Sequence, residues 1–247
     1  TEGSAMIFGK DAWRHAVETH KRIAYVPGDV NLWPNLTGGE VIDLFLKLRG
    51  TKQRNRRDEF IERFDLDPTK KCRTYSKGNR QKVALVAAFA SDADLYILDE
   101  PTSGLDPLME QVFQQSVFEA KQAGKSVLLS SHILSEVEKL CDRVGIIRQG
   151  KIIESGTLSE LRHLTRTNLH VETKKPIQSL GALHGVHDIE EKGQTVSLQV
   201  DTEEMGNVIK HISQFDILKL ESAPPTLEDL FMRHYENKED KTAGGAS

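Results

Sequence analysis

The sequence predicts an α/β architecture: a mainly parallel sheet in the first part of the chain, then a smaller α+β module. Three observations carry this. Helix-like and strand-like segments alternate from Ile23 to about Gly156, the order that builds parallel sheets. One apolar strand, Leu95-Tyr96-Ile97-Leu98, ends in paired acids, Asp99 and Glu100, at the rim where open parallel sheets place their ligands. From about Thr165 the pattern becomes strand, helix, strand, strand, helix, strand, the order of a ferredoxin-like module.

The elements follow in chain order. Ile23–Val26 reads as a short strand broken by Pro27-Gly28, and a polar loop leads to Thr37-Gly38-Gly39-Glu40. That quartet has the form of a capping box, so a helix is expected from there to about Arg49. A second helix, about Arg56 to Phe64, places Phe60, Ile61 and Phe64 on one face. A third starts at Ser76 and carries Val83, Ala84, Val86 and Ala87 on a face suited to close packing. After the Leu95–Leu98 strand come a helix over Glu110–Ala120, a strand over Ser126–Ser130, a short helix over Leu134–Cys141 and a hairpin turning at Gln149-Gly150. In the second module the expected elements are a strand at Asn168–Glu172, a helix near Ile177–Leu183, and strands near Val186–Glu190 and Thr195–Val200. A helix at Glu203–Ile212, a strand at Asp216–Glu221 and a closing helix from Pro224 to Tyr235 complete it. The domain expectation is residues 1–160 for the α/β domain, with a helical subdomain at about 38–75, residues 165–236 for the accessory domain, and a flexible tail over 237–247.

Composition narrows the class. With 38% hydrophobic and 28% charged residues and a mean hydropathy of -0.45, the chain matches globular rather than disordered or fibrous proteins. No run approaches the ~20 apolar residues that span a bilayer, so a membrane role is expected to come through a partner. A net charge of -4 gives no reason to expect nucleic acid. Cys72 and Cys141 are the only cysteines and lack metal-ligand spacing, which fits reduced thiols in the cytosol.

Chemistry concentrates between Tyr75 and His132. An Asp at a strand's carboxyl end can hold Mg²⁺, and a neighbouring Glu can orient or deprotonate a water aimed at a γ-phosphate. A Ser at a helix start followed by small residues offers a hydroxyl and unpaired N–H groups to an anion, as Tyr75-Ser76-Lys77-Gly78-Asn79 does. His132 follows the next strand in Ser130-Ser131-His132; the other histidines read as structural.

The run YSKGNRQKVALVAAFASDADLYILDEPTSGLD resembles the ATP-binding-cassette (ABC) ATPases, a P-loop NTPase fold: signature, Walker B strand, then D-loop. The resemblance covers Thr1 to about Gly156. It implies Asp99 as the Walker B metal residue, Glu100 as the catalytic base and His132 as the switch histidine that contacts the γ-phosphate. Ser76, Lys77, Gly78 and Asn79 would be the signature that meets ATP, and Ser103, Gly104 and Asp106 the D-loop reaching a second subunit. Lys77 stands where the family has its first signature Gly, which adds a positive charge near the γ-phosphate. Tyr25-Val26-Pro27 matches the strand before the Q-loop, but Gly28 replaces the expected Gln, leaving that role vacant or taken by Asp29 or water.

One motif of the family is missing from these residues. No G-x-x-x-x-G-K-[ST] loop lies between Thr1 and Ser247; Gly124-Lys125-Ser126 imitates its end but has Glu119 where the first Gly is required and leads into a strand. The expectation is a longer protein whose phosphate-binding segment precedes Thr1, and a 247-residue chain that binds ATP feebly and does not hydrolyse it alone. The loop YVPGDVNLWPNLTGGE and the C-terminal module resemble those of ABC-2-type exporters. That implies ATP and Mg²⁺ as cofactors, a transmembrane permease and a second ABC ATPase subunit as partners, and a cytoplasmic position on the inner face of the membrane. Two alternatives remain open at this point: a non-catalytic regulatory protein with the same fold, or an ABC ATPase of ribosomes or DNA.

Overall fold

The computed structural model describes residues 3–50, 54–163, 166–223 and 227. These divide into two compact units, Thr1–Leu140 and Cys141–Ser247.

The first unit opens with a small antiparallel pair, β1 (Met6–Ile7) and β2 (Lys10–Asp11), and a short helix α1 (Ala16–His20). Its centre is a parallel three-stranded sheet in the order β3 (Ile23–Val26), β4 (Leu95–Asp99), β5 (Ser126–Ser130). Two helices intervene between β3 and the signature region: α2 (Gly38–Arg49) and α3 (Arg54–Arg63). α2 begins at the predicted capping box. Thr37 Oγ1 accepts from Glu40 N at 3.1 Å while Glu40 Oε2 accepts from Thr37 N at 2.6 Å, so two orphan donors are satisfied together. Its end is fixed by Gly50 in the left-handed region, φ 76°.

α4 (Lys77–Ala90) runs from the Ser76 cap into the core, burying Val83, Leu85, Val86 and Phe89. Phe89 joins the helical subdomain to the sheet. Its ring lies 5.7 Å from Phe60 and 6.4 Å from Phe64, and also 5.3 Å from Tyr96 on β4 and 6.2 Å from Phe113 on α5 (Pro107–Gln122). This aromatic cluster is dry enough to push the Tyr96 phenol up to about 12. A two-pronged ion pair, Arg63 Nη1 and Nη2 to the Glu119 carboxylate at 2.7 and 2.8 Å, seals its rim. The unit ends with α6 (Leu134–Leu140).

In the second unit β6 (Arg143–Arg148) and β7 (Lys151–Thr157) form the predicted hairpin. Gln149 and Gly150 both have positive φ, 51° and 73°, the two-residue turn that matches strand twist. α7 (Leu158–His163) follows. A four-stranded antiparallel sheet then forms from β8 (Thr167–Thr173), β9 (Val186–Lys192), β10 (Thr195–Val200) and β11 (Ile217–Ala223), in the order β11-β8-β10-β9. That is the strand order of a ferredoxin-like module. Leu169, Val171, Val196, Leu198 and Val200 pack against Val208 and Ile212 of α8 (Met205–Ile212).

Three expectations are corrected. The helix near Ile177–Leu183 is only a single 3-10 turn, Leu180–Ala182, because Pro176 precedes it, Ser179 enters it at φ 61° and Gly181 lies inside it. α5 begins at Pro107 rather than Glu110, since Asp106 caps it and proline is pre-set for the first helical position. α3 begins at Arg54, two residues before the predicted start. The closing helix expected over 224–235 and the tail over 237–247 lie outside the described residues, apart from the helical, buried Leu227.

Candidate functional site

The carboxyl ends of β4 and β5 assemble the first half of the site. Asp99 and Ser130 are paired in register, and Ser130 Oγ donates to Asp99 Oδ1 at 2.5 Å. The other carboxylate oxygen faces Gly28, just beyond β3: a Cβ on Gly28 would stand 3.4 Å from Asp99 Oδ2. The missing side chain there keeps that oxygen open to whatever approaches along the sheet rim. Asp29 points elsewhere, its carboxylate accepting from Asn31 Nδ2 at 3.4 Å.

Glu100 leaves the strand at φ 45°, a left-handed conformation that a glutamate adopts only when its surroundings over-determine it. Its N–H donates to Ser130 O at 3.0 Å, and its carbonyl accepts from Ser103 N at 3.1 Å. The result turns its carboxylate toward His132: Nδ1 and Glu100 Oε2 are 2.6 Å apart. The histidine is 77% exposed and the glutamate 33%, so the pair faces solvent at the rim rather than filling the core.

The second half of the site is the start of α4 against the loop after Glu100. Ser76 is the N-cap, its Oγ accepting from Asn79 N at 3.2 Å, and it remains exposed. Gly78 lies so close to the loop that a Cβ would come within 2.3 Å of Gly104 O. Gly104 itself sits at φ 82°. Lys77 Nζ donates to Ser103 Oγ at 2.7 Å, so this ammonium is directed at the loop of its own chain. Asp106 accepts from Met109 N at 3.0 Å as the cap of α5.

A buried polar network beneath these loops escaped sequence reasoning. Gln81 Nε2 donates to Pro101 O at 2.9 Å. Glu136, 4% exposed, accepts from Ser131 Oγ at 2.8 Å and Thr102 Oγ1 at 3.4 Å. Burial raises its carboxyl above the usual range, and the two hydroxyls oppose that shift. The one available signal was the Ser130-Ser131 pair directly ahead of His132. Among the described residues no cluster of three His, Cys, Asp or Glu side chains is arranged to hold a metal ion by itself. Nor is any helix of the described residues long and apolar enough to cross a membrane.

Comparison with known proteins meets this geometry. The family model described as "ABC transporter" matches residues 1–103, which takes in Ser76–Asn79, Asp99, Glu100 and Ser103; one described as "ATP-binding protein DrrA1-3-like, C-terminal domain" matches residues 156–235. YhaQ of Bacillus subtilis (strain 168), an uncharacterized ABC transporter ATP-binding protein, is 31% identical over 240 residues, covering 94% of this chain and 80% of its own. This chain belongs to the ABC transporter ATP-binding proteins. Another member, the bacitracin transport ATP-binding protein BcrA of Bacillus licheniformis, is 30% identical over 242 residues, or 94% of this chain and 79% of BcrA. A solved ATP-binding subunit of an ABC transporter superposes with a TM-score of 0.63 at 32% identity, covering 66% of this chain and 70% of that one. The first unit is accordingly an ABC ATPase cassette, and ATP is the ligand its family binds.

Proposed function

We propose that the chain is the nucleotide-binding subunit of an exporter, with Asp99, Glu100 and His132 acting on ATP bound at the sheet rim. Ser76–Asn79 and Ser103–Asp106 would face ATP held by a second subunit. The observation that carries the reading is the 2.6 Å contact between Glu100 and His132 beside Asp99, at the carboxyl end of a parallel sheet. A transport role is supported by likeness to the bacitracin transport protein BcrA over 79% of its length. Export is supported by the loop YVPGDVNLWPNLTGGE and by the C-terminal module, which matches the DrrA-like domain.

The residues suit a Mg²⁺ that arrives with the triphosphate. Such an ion needs only one or two protein carboxylates beside the phosphates, and Asp99 offers one, anchored by Ser130 through its other oxygen. When bound, the metal would neutralise charge on the phosphate oxygens. Glu100 is placed to accept the proton of an attacking water, and the histidine against it orients the carboxylate and offers a donor to the γ-phosphate. Exposed Ser76 and the N-terminal amides of α4 present donors to an anion. A membrane permease would be the partner moved by opening and closing of two such subunits, with the chain lying on the cytoplasmic membrane face.

Residues 1–247 contain no phosphate-cradling Gly-rich loop, so by themselves they are expected to bind ATP weakly and not to hydrolyse it. The test mixes this chain with an intact ABC ATP-binding subunit whose own signature serine is replaced. Wild-type chain should restore ATPase activity and the Ser76→Ala chain should not. Equal rates with both chains, or no restoration by either, would refute the assignment of Ser76.

A further inference from the structure

Four contacts, made by three residues, fasten the first turns of α4 to the loop that follows Glu100. Lys77 Nζ donates to Ser103 Oγ at 2.7 Å. The stem of the same lysine lies along Gly104: a Cβ there would meet Lys77 Cγ at 3.5 Å and Cδ at 3.6 Å. Gly78 closes the contact from the backbone side, with no room for a Cβ against Gly104 O, and Gln81 holds Pro101 O at 2.9 Å one turn further on. Residues 77, 78 and 81 therefore share one helix face, and it is spent on the loop.

We propose that Lys77 is a positioning residue that pins the 101–106 loop to α4, rather than a ligand for nucleotide phosphate. The physical need is plain at Gly104, which is exposed, sits at φ 82° and has no side chain with which to hold itself. Downstream the loop is tied by the Asp106 cap and upstream by Thr102 on Glu136; between them Ser103 N donates to Glu100 O, while the Ser103 side chain and Gly104 depend on Lys77 and on close backbone packing. An ammonium on a neutral hydroxyl is a charge-assisted bond without an ion pair, so salt screening weakens it little. The inference deepens the proposed function and rests on it for its purpose. The loop meant for a second subunit is delivered at a fixed offset from Ser76, and the lysine does that work inside its own chain.

The test uses the 247-residue chain without nucleotide, so its outcome is separate from whether ATP binds. Backbone hydrogen exchange is read at the amides of Ser103 and Leu105, which donate to Glu100 O and Thr102 O at 3.1 and 3.0 Å. Lys77→Met keeps the stem and removes the donor; Ser103→Ala removes the acceptor. Each should speed exchange at these two amides about tenfold, the double variant no more than either single one, with α5 and β8 unchanged. Lys77→Arg, which retains a cationic donor, should restore protection, and excess inorganic phosphate should leave wild-type exchange as it was. Wild-type exchange in Lys77→Met and Ser103→Ala, an increase spread evenly over residues 1–140, failure of Lys77→Arg to protect, or loosening by phosphate would each overturn the proposal.

Discussion

His132 Nδ1 lies 2.6 Å from Glu100 Oε2, and the glutamate is held toward it by a backbone at φ 45°. A side chain kept in a sparsely populated conformation and aimed at a histidine on the next strand's end is arranged for chemistry more than for packing. In a chain supplied with a G-x-x-x-x-G-K-[ST] segment ahead of Thr1, Glu100→Gln is expected to keep ATP bound in a stable dimer and slow turnover about 10²- to 10⁴-fold. Single-turnover rates check this, and a wild-type rate would remove Glu100 from the role of base.

Gly78→Ala separates close packing from helix propensity. Alanine in a helix ordinarily gains about 0.5–1 kcal/mol over glycine. Here its Cβ would stand 2.3 Å from Gly104 O, so a loss of about 1–3 kcal/mol is expected instead. Urea unfolding reads the sign directly.

Phe89→Ala should be among the most damaging core changes. The ring is 1% exposed and touches aromatic partners on three other elements, so its removal opens a cavity between subdomain and sheet. The expected cost is about 3–5 kcal/mol by denaturant titration. A cost below about 1 kcal/mol would mean that the cluster does not join the two parts.

Glu136 predicts a pH dependence with a definite sign. Burial raises its folded carboxyl above the unfolded value of about 4.3, so between the two values the native state binds more protons than the unfolded state. Its contribution therefore becomes less favourable as pH rises through that window and stays so at neutral pH. Glu136→Gln deletes this dependence: the stability of the variant relative to wild type should climb from acid toward neutral pH. A difference that is flat or falls with pH would contradict the burial of a charged carboxylate.

Local chemistry was readable from the sequence and long-range chemistry was not. Thr37 and Glu40, three residues apart, announce their capping box, and Ser76 announces the N-cap of α4. Asp106-Pro107 carries the start of α5 equally well, a capping carboxylate followed by proline at the first helical position. The bonds of Gln81 to Pro101 and Thr102 to Glu136 span 20 and 34 residues, and nothing in residue type distinguishes those side chains from ordinary helix-surface polar groups. Lys77 shows the same limit. Its charge was legible, while its direction depended on where the loop at Ser103 folds back.

In the proposed function, Asp99 and Glu100 on one subunit and Ser76 on another meet the same triphosphate. The most direct measurement is a structure of the Glu100→Gln chain, carrying a phosphate-binding segment ahead of Thr1, with ATP bound. A γ-phosphate is expected within hydrogen-bonding reach of His132 on one subunit and of Ser76 on the other, with Asp99 beside its metal. Nucleotide bound away from the carboxyl ends of β4 and β5, or without a signature serine against it, would contradict it.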